Sequence, residues 1–315
     1  RWTVDEAADL QVVSAVFDHF APDVYFTWQQ VLQLQRTHPE FFSANHQLIR
    51  NEGATMGTGQ KLWKRAKQVI PGGNMLLSKR AEMFLPEHWP AYFSKAKGCQ
   101  VWDLDGKQYT DMCIMGIGTN TLGYGHPEVD AAVMGTVQAG NMSTLNCPEE
   151  VYLAERLVQM HPWADMVRFA RSGGEANAIA IRIARAASGR DKVAVCGYHG
   201  WHDWYIGITS RSGGIPEGIK NLSFTFPFND IESIKNALDE SVACVILEPF
   251  IFEKPQNNFL QELAEICKAN GTLLIFDEMW TGFRIALGGA QEYFGVKADL
   301  ATFSKACANG MPLAI

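Results

Sequence analysis

The sequence predicts an α/β fold, with a mostly parallel central sheet and helices on both faces. Three observations carry that expectation. Short runs at 192–196, 242–247, 273–276 and 300–303 are apolar and too short for helices, as buried parallel strands are. Between such runs lie helical patterns. The clearest is Ala176, Ile179, Ala180, Ile183, Ala184 and Ala187, whose offsets match one helix face packed on a sheet. Polar groups then follow the strand ends, where open α/β sheets place ligands: Asp277-Glu278 after one run and Ser304-Lys305 after another.

Composition narrows the field. The chain has 315 residues and 47% hydrophobic content, enough for one large core or two smaller ones. A net charge of −7 offers no basic field to nucleic acid or an anionic membrane. No apolar run approaches the roughly 18 residues that span a bilayer, and Arg1-Trp2-Thr3-Val4-Asp5 lacks a signal peptide's apolar core. Seven scattered cysteines without a Cys-x-x-Cys pair point to reduced thiols in a cytoplasmic protein, not to disulfides or zinc. The chain starts without methionine and stops at Met311–Ile315, which reads as the entry to another strand, so we expect a fragment.

Taken in order, Trp2-Thr3-Val4 reads as a strand end and Asp5 as the cap of a helix carrying Leu10, Val13, Ala15, Val16, Phe17 and Phe20 inward. A second helix is expected over Thr27–Arg36, with Trp28, Val31, Leu32 and Leu34 as its apolar members. Small, polar, glycine-rich residues 51–59 read as a linker. A helix over Gln60–Val69 should end at Pro71-Gly72-Gly73. Lys79 and Arg80 follow in a loop, where two adjacent cations are ordinarily solvated. Residues 100–112 read as a hairpin around Asp105-Gly106, a pair suited to a tight turn. The glycines of 116–125 mimic a dinucleotide loop, but the third falls too late and no acid follows a clear βαβ unit. A nicotinamide site is therefore rejected.

A helix at 149–160 and a strand at Met166–Ala170 lead to Arg171-Ser172-Gly173-Gly174-Glu175-Ala176. A strand, a glycine turn and a helix start together make an anion site, because free N–H groups and the positive helix end face a phosphate. The next strand delivers Gly197-Tyr198-His199-Gly200-Trp201-His202. His199 and His202 could suggest a metal, but no third ligand is near in sequence, so none is expected. Strand 242–247 ends in Glu248-Pro249, and helix 258–269 leads to strand 273–276. Asp277 could hold a pyridine nitrogen protonated and Lys305 could form a Schiff base with an aldehyde. A helix cap and a solvated surface charge are the plainer alternatives for the two.

The words Asp277-Glu278-Met279, Thr281-Gly282-Phe283-Arg284 and Ser304-Lys305 resemble the class III pyridoxal-phosphate aminotransferases. So do Leu122-Gly123 with His126-Pro127, Ser172-Gly173-Gly174-Glu175-Ala176, Tyr198-His199-Gly200 and Glu248-Pro249, over about residues 60–315. The resemblance implies a fold-type I transferase whose C-terminal small domain is missing, pyridoxal 5′-phosphate as cofactor, and a homodimer. Lys305 would bind the cofactor aldehyde and carry the proton, and Asp277 would face the ring nitrogen. Ser172, Gly173 and Gly174 would anchor the phosphate, although Gly174 stands where the family carries a hydroxyl, so one side-chain contact is lost. Tyr198 would stack on the ring beside His199, Met279 would pack behind it, and Glu248 would join the network around it. Ile70-Pro71-Gly72-Gly73-Asn74 is similar to the glutamate-1-semialdehyde aminomutase branch, in which Arg80 or Lys79 would hold a substrate carboxylate.

Gly116-Ile117-Gly118-Thr119, Gly174 and Phe250–Lys254 depart from that branch. We therefore expect amino-group transfer between a small amino donor and a keto or aldehyde acceptor. An aminomutase-like isomerase and a non-catalytic binding module of the same fold are the alternatives. Residues 1–50, through Arg-Trp-Thr-Val-Asp-x-x-x-Asp-Leu, resemble the end of a cytidylyltransferase-like sugar nucleotidyltransferase. In such a parent enzyme Asp5 would lie near a metal, or serve simply as a cap. The implied division is a remnant at 1–50, a linker at 51–59, an N-terminal segment at 60–115 and a cofactor-binding domain at 116–315. The fusion would suggest surface-polysaccharide or amino-sugar precursor metabolism.

Overall fold

The computed structural model describes residues 7–45, 57–250 and 252–315. The expected strand at Trp2–Val4, the Asp5 cap and most of the linker lie outside the described residues. The chain forms two units, one reaching to Phe93 and including Asp103–Asp105, the other comprising Ser94–Trp102 and Gly106–Ile315.

In the first unit, α1 (Ala7–Phe20) and α2 (Trp28–Thr37) close a core of Val12, Val16, Val31, Leu34 and Phe42. Thr27 and Gln30 exchange hydrogen bonds as a capping box, which fixes where α2 begins. The inward face of α1 differs from expectation: Val12 and Val16 are buried, whereas Leu10 and Phe17 are exposed. Apolar residues lie all round this helix, so packing against α2 selects the stripe. On α2, Trp28 and Leu32 likewise face outward. Helix α3 (Thr58–Val69) begins two residues before Gln60, because its first residue bonds the Asp105 carboxylate through its backbone N–H (2.9 Å) and its hydroxyl. It stops before Pro71, as the restricted residue ahead of a proline requires. Lys79 is exposed, and the guanidinium of Arg80 folds over Gly72, whose φ is +75°.

The second unit carries a three-stranded sheet of β1 (Phe93–Lys97), β2 (Gln100–Asp103) and β3 (Gln108–Thr110), in that order. The β2–β3 pair is the expected antiparallel hairpin, with Gln100 opposite Thr110. Then come α4 (Met115–Gly118), a single turn with every φ positive, α5 (Pro127–Ala139), α6 (Pro148–Met160) and α7 (Gly173–Ser188). The main sheet is built from β4 (Lys192–Cys196), β5 (Ser223–Thr225), β6 (Val242–Leu247), β7 (Leu273–Asp277) and β8 (Leu300–Thr302). Its order is β5-β4-β6-β7-β8, and every neighbouring pair is parallel.

Side-chain alternation splits this sheet's apolar residues between two layers. Ala194, Val245, Leu247, Leu274 and Phe276 pack on α11 (Phe259–Asn270) and on Ile234 of α10 (Ile231–Ala237). Val193, Val195, Cys244, Ile246 and Ile275 pack on Ala180, Ile181 and Ala184 of α7 and on α8 (Asp203–Ile206). Short α9 (Glu217–Lys220) precedes β5, and α12 (Gly289–Phe294) lies between β7 and β8. All six residues of β6 are fully buried, at about 1.5–3 kcal/mol for each large aliphatic side chain removed from water.

Two expectations need correction. Met166–Ala170 is not a strand: Ala170 makes one antiparallel bridge with Ala314, and Met166 is 89% exposed. The stripe on α7 also runs through Asn177 and Ile181, while Ile183 and Ala187 are exposed. Ile183 instead lines a groove of about 360 Å³ beside residues 163–168 and β8.

Candidate active site

Register brings the chemistry to one edge. Leu247 pairs with Phe276 and Asp277 with Thr302, so Glu248, Asp277 and the loop after β8 emerge together. Cys196 lies level with Leu247, so the loop 197–202 joins them. This is the carboxyl edge of the sheet, and α7 begins beside it.

Asp277 is buried, and both of its oxygens are engaged. Its Oδ2 accepts from Asn177 Nδ2 at 2.9 Å and lies 2.7 Å from His199 Nδ1, while Oδ1 accepts the Met279 N–H at 3.0 Å. The other ring nitrogen of His199 lies 3.0 Å from the Cys196 carbonyl. Both ring nitrogens of His199 thus face oxygen atoms, a carboxylate on one side and a carbonyl on the other, which fixes the plane of the imidazole. Asn177 is braced in turn by the Thr302 hydroxyl at 2.6 Å. Sequence reading missed Asn177 and Thr302, although a polar residue on the sheet-facing stripe of α7 was a usable signal.

Lys305 opens a 3₁₀ turn, Lys305–Ala308, with φ +44°. Burial holds its amine below the ordinary lysine value, against the pull of Asp277 and Glu248, and the Arg284 guanidinium lowers it further. A neutral amine is the nucleophilic form. Nζ sits 4.4 Å from the centre of the Trp280 ring, a residue the sequence did not single out. Gly118, at φ +73°, leaves room for that indole, since a Cβ there would collide with it. At this contact the 116–125 loop comes close to the site.

Glu248 accepts the Tyr198 N–H at 2.8 Å. Burial first, and then the Asp277 charge, push its carboxyl from the ordinary 4.5 to about 7. The folded state therefore holds this proton more tightly than the unfolded chain does. Stability conferred at low pH is lost as pH rises from about 4.5 to about 7, on the order of 3 kcal/mol in all. Glu248→Gln should flatten that slope in thermal melts of the cofactor-free protein, and an unchanged slope would assign it to another group.

Met279 is buried, and its Sδ lies 2.8 Å from where a Cβ on Gly173 would stand, which ties the glycine turn to the end of β7. Ser172 caps α7, its Oγ accepting the Glu175 N–H at 3.4 Å. Glu175 returns a bond to the Ser172 N–H at 3.0 Å. Tyr198 is 61% exposed and meets Tyr205 edge-on at 5.7 Å, so its ring is not part of the core. Lys79 and Arg80 belong to the first unit. Among the described residues, no three His, Cys, Asp or Glu side chains gather as metal ligands.

A buried, hydrogen-bonded carboxylate and a lysine beyond adjacent parallel-strand ends, near a glycine-opened helix start, define an α/β protein of the strand-end lysine class. The chain belongs to the class-III aminotransferase family, whose model (Aminotransferase class-III) matches residues 85–315. It is 39% identical over 279 residues to the glutamate-1-semialdehyde 2,1-aminomutase of Methanocaldococcus jannaschii, covering 82% of this chain and 63% of that protein. It is 35% identical to the 3-aminobutyryl-CoA aminotransferase of Cloacimonas acidaminovorans, covering 84% and 65%. Among solved structures, the PLP internal aldimine form of the Sphingopyxis sp. MTA144 FumI protein superposes with a TM-score of 0.76 at 32% identity, covering 82% and 64%. The chain thus spans less than two thirds of the length of these relatives. The fold is theirs: an α/β architecture with a parallel central sheet, as in the fold-type I transferases.

Proposed function

We propose that the protein is a pyridoxal-phosphate-dependent aminotransferase that moves an amino group between a small amino donor and a keto or aldehyde acceptor. The observation that carries this is the pairing of Asp277, locked by three hydrogen bonds, with Lys305, whose amine burial holds below the ordinary lysine value, at the same sheet edge. The residues present fit the cofactor. The N–H groups of Gly173 and Gly174 have no partner among the described residues and suit a phosphate. Asp277 retains lone pairs for a protonated ring nitrogen, and the exposed Tyr198 ring is free to cover a flat ligand.

Pyridoxal phosphate, when bound, supplies an aldehyde for amine exchange and a protonated ring that accepts the electron pair released at the amine carbon. Lys305 Nζ, as the neutral amine, would be the group that holds the aldehyde, and when free it would carry the proton to and from the donor carbon. Burial makes that neutral form accessible. Asp277 would hold the proton of the ring nitrogen, with Asn177, the Met279 N–H and the His199 ring fixing its carboxylate in place. Met279 would pack against the ring, and Glu248 would complete the polar surroundings.

The test is a half-reaction. An amino donor added alone to the loaded protein should release pyridoxamine phosphate in amounts matching the protein present. Isomerisation without that release would select the aminomutase reading, which the 39% identity to an aminomutase favours. Neither outcome would leave a binding module.

The proposal extends to a homodimer. Helix α5 buries none of its residues, and Met134, Val137, Met142, Leu145 and Tyr152 stand exposed along one stretch. We also propose that residues 1–50 are the nucleotidyltransferase-like remnant, 51–59 a linker, 60–115 the N-terminal segment and 116–315 the cofactor domain. In support, α1 and α2 close a core of their own. Seven free cysteines accord with a cytoplasmic setting, and no described helix is long and apolar enough to cross a membrane. A carboxylate-holding role for Arg80 or Lys79 and an amino-sugar substrate complete the proposal.

A further inference from the structure

We infer that His202 donates a hydrogen bond from Nδ1 to the phosphate at the start of α7, in the space that a side chain at position 174 would fill. The inference rests on the cofactor reading above and assigns that phosphate its side-chain donor. Gly200, at φ +103°, lets the loop 197–202 press directly on the glycine turn, and a Cβ on it would lie 3.0 Å from Gly174 Cα. A Cβ on Gly174 would lie 2.9 Å from His202 Nδ1 and 3.0 Å from its Cε1. One edge of the imidazole therefore stands where the lost side chain would be. Trp201 sets the ring's orientation by stacking on it, with centroids 4.7 Å apart and planes 23° apart.

His202 Nδ1 is buried and has no hydrogen-bond partner among the described residues, a condition that folded proteins rarely leave unfilled. Beside it are the unpaired N–H groups of Gly173 and Gly174 and the positive end of a 16-residue helix. Every one of these groups can donate, so the missing partner is an acceptor, and an anion suits it best. Glu175, next to the glycine turn, does not compete, because it is turned back onto the N–H groups of Arg171 and Ser172. Gly174 and His202 thus act as a pair: the glycine makes room, and the histidine supplies the donor.

The intact protein, freed of cofactor, is titrated with pyridoxal phosphate and separately with pyridoxal, which lacks the phosphate. His202→Ala should raise the Kd for pyridoxal phosphate about ten- to hundredfold, the worth of one hydrogen bond to a charged group, and leave that for pyridoxal within about twofold. His202→Asn, which keeps a short N–H donor, should recover most of the loss. Gly174→Ser alone should weaken binding by crowding the ring, and combining it with His202→Ala should restore affinity through the new hydroxyl. Equal loosening of both ligands by His202→Ala would mean that the ring only packs the loop, and the inference would fall. Unchanged affinity for pyridoxal phosphate would overturn it as well. Should His202→Ala not fold, His202→Phe keeps the stack on Trp201 without a donor and is read by the same ratio. A wild-type protein that binds neither ligand would reject the cofactor reading instead.

Discussion

Lys305→Ala should fold, still take up pyridoxal phosphate, and yield no pyridoxyl label on residue 305 after borohydride reduction. Its amine lies close to the Trp280 face and feels the Asp277 and Glu248 carboxylates. Burial already disfavours its charge, so losing it should cost little stability. The catalytic loss is a different matter. One side chain supplies both the nucleophile and the proton carrier, and proton transfer alone is worth about 10²–10⁴ in rate. With both roles gone, amine exchange should fall by at least about 10⁴-fold. In the wild type, exchange limited by the neutral amine should rise with pH through a midpoint below the ordinary lysine value. Lys305→Arg separates charge from chemistry, since it restores a cation but no amine that deprotonates near neutral pH. Peptide mapping after reduction decides the matter. A label on another lysine, or exchange within tenfold of wild type in Lys305→Ala, would remove Lys305 from the centre of the mechanism.

How far the sequence revealed this arrangement depended on the range of the interactions involved. Strands β4, β6, β7 and β8 were legible because burial on both faces leaves uninterrupted apolar runs. The three-residue β5, Ser-Phe-Thr, carries no such run and was not anticipated. Met166–Ala170 has strand-like residues, but strand identity also requires a partner, and only Ala170 finds one. The same limit governs the site. Asp277 and Lys305 could be read from where their strands stop. Asn177 meets Asp277 across 100 residues and Thr302 across 125, and no local pattern records such meetings. Trp280 was hidden in plain view. Its neighbours Asp277 and Met279 drew the assignment, while its contact with Lys305 appears only once β7 and β8 lie side by side. The glycines were half legible: a turn at Gly173-Gly174 was evident, but the ring that occupies the vacated space was not.

Asp277→Asn and Asp277→Ala should part company, and their difference isolates what the carboxylate does. Asparagine keeps the shape and one acceptor oxygen. With that oxygen in the place of Oδ2, the Asn177 and His199 contacts are kept, and only the Met279 N–H loses its acceptor to the new amide nitrogen. The variant should fold, at a cost of about 1–3 kcal/mol for that one buried N–H. An amide cannot hold a ring nitrogen protonated, however, and losing a fixed charge aimed at a developing one costs on the order of 10²–10³ in turnover. Alanine removes the acceptor of His199, Asn177 and the Met279 N–H together, and each buried donor left unpaired costs about 1–3 kcal/mol. That variant should melt earlier as well as lose turnover. His199→Asn supplies the third corner of the comparison: Asp277 keeps its carboxylate but loses the imidazole that braces it, so turnover should fall less than in Asp277→Asn. Thermal melts and single-turnover exchange rates measured on the three variants test the assignment. If Asp277→Asn keeps full turnover, the carboxylate is a structural brace and the ring nitrogen is held by something else. If it loses turnover while melting well above Asp277→Ala, the strand-end acid acts on the ring through its charge, and the histidine and asparagine behind it serve to keep that charge in place.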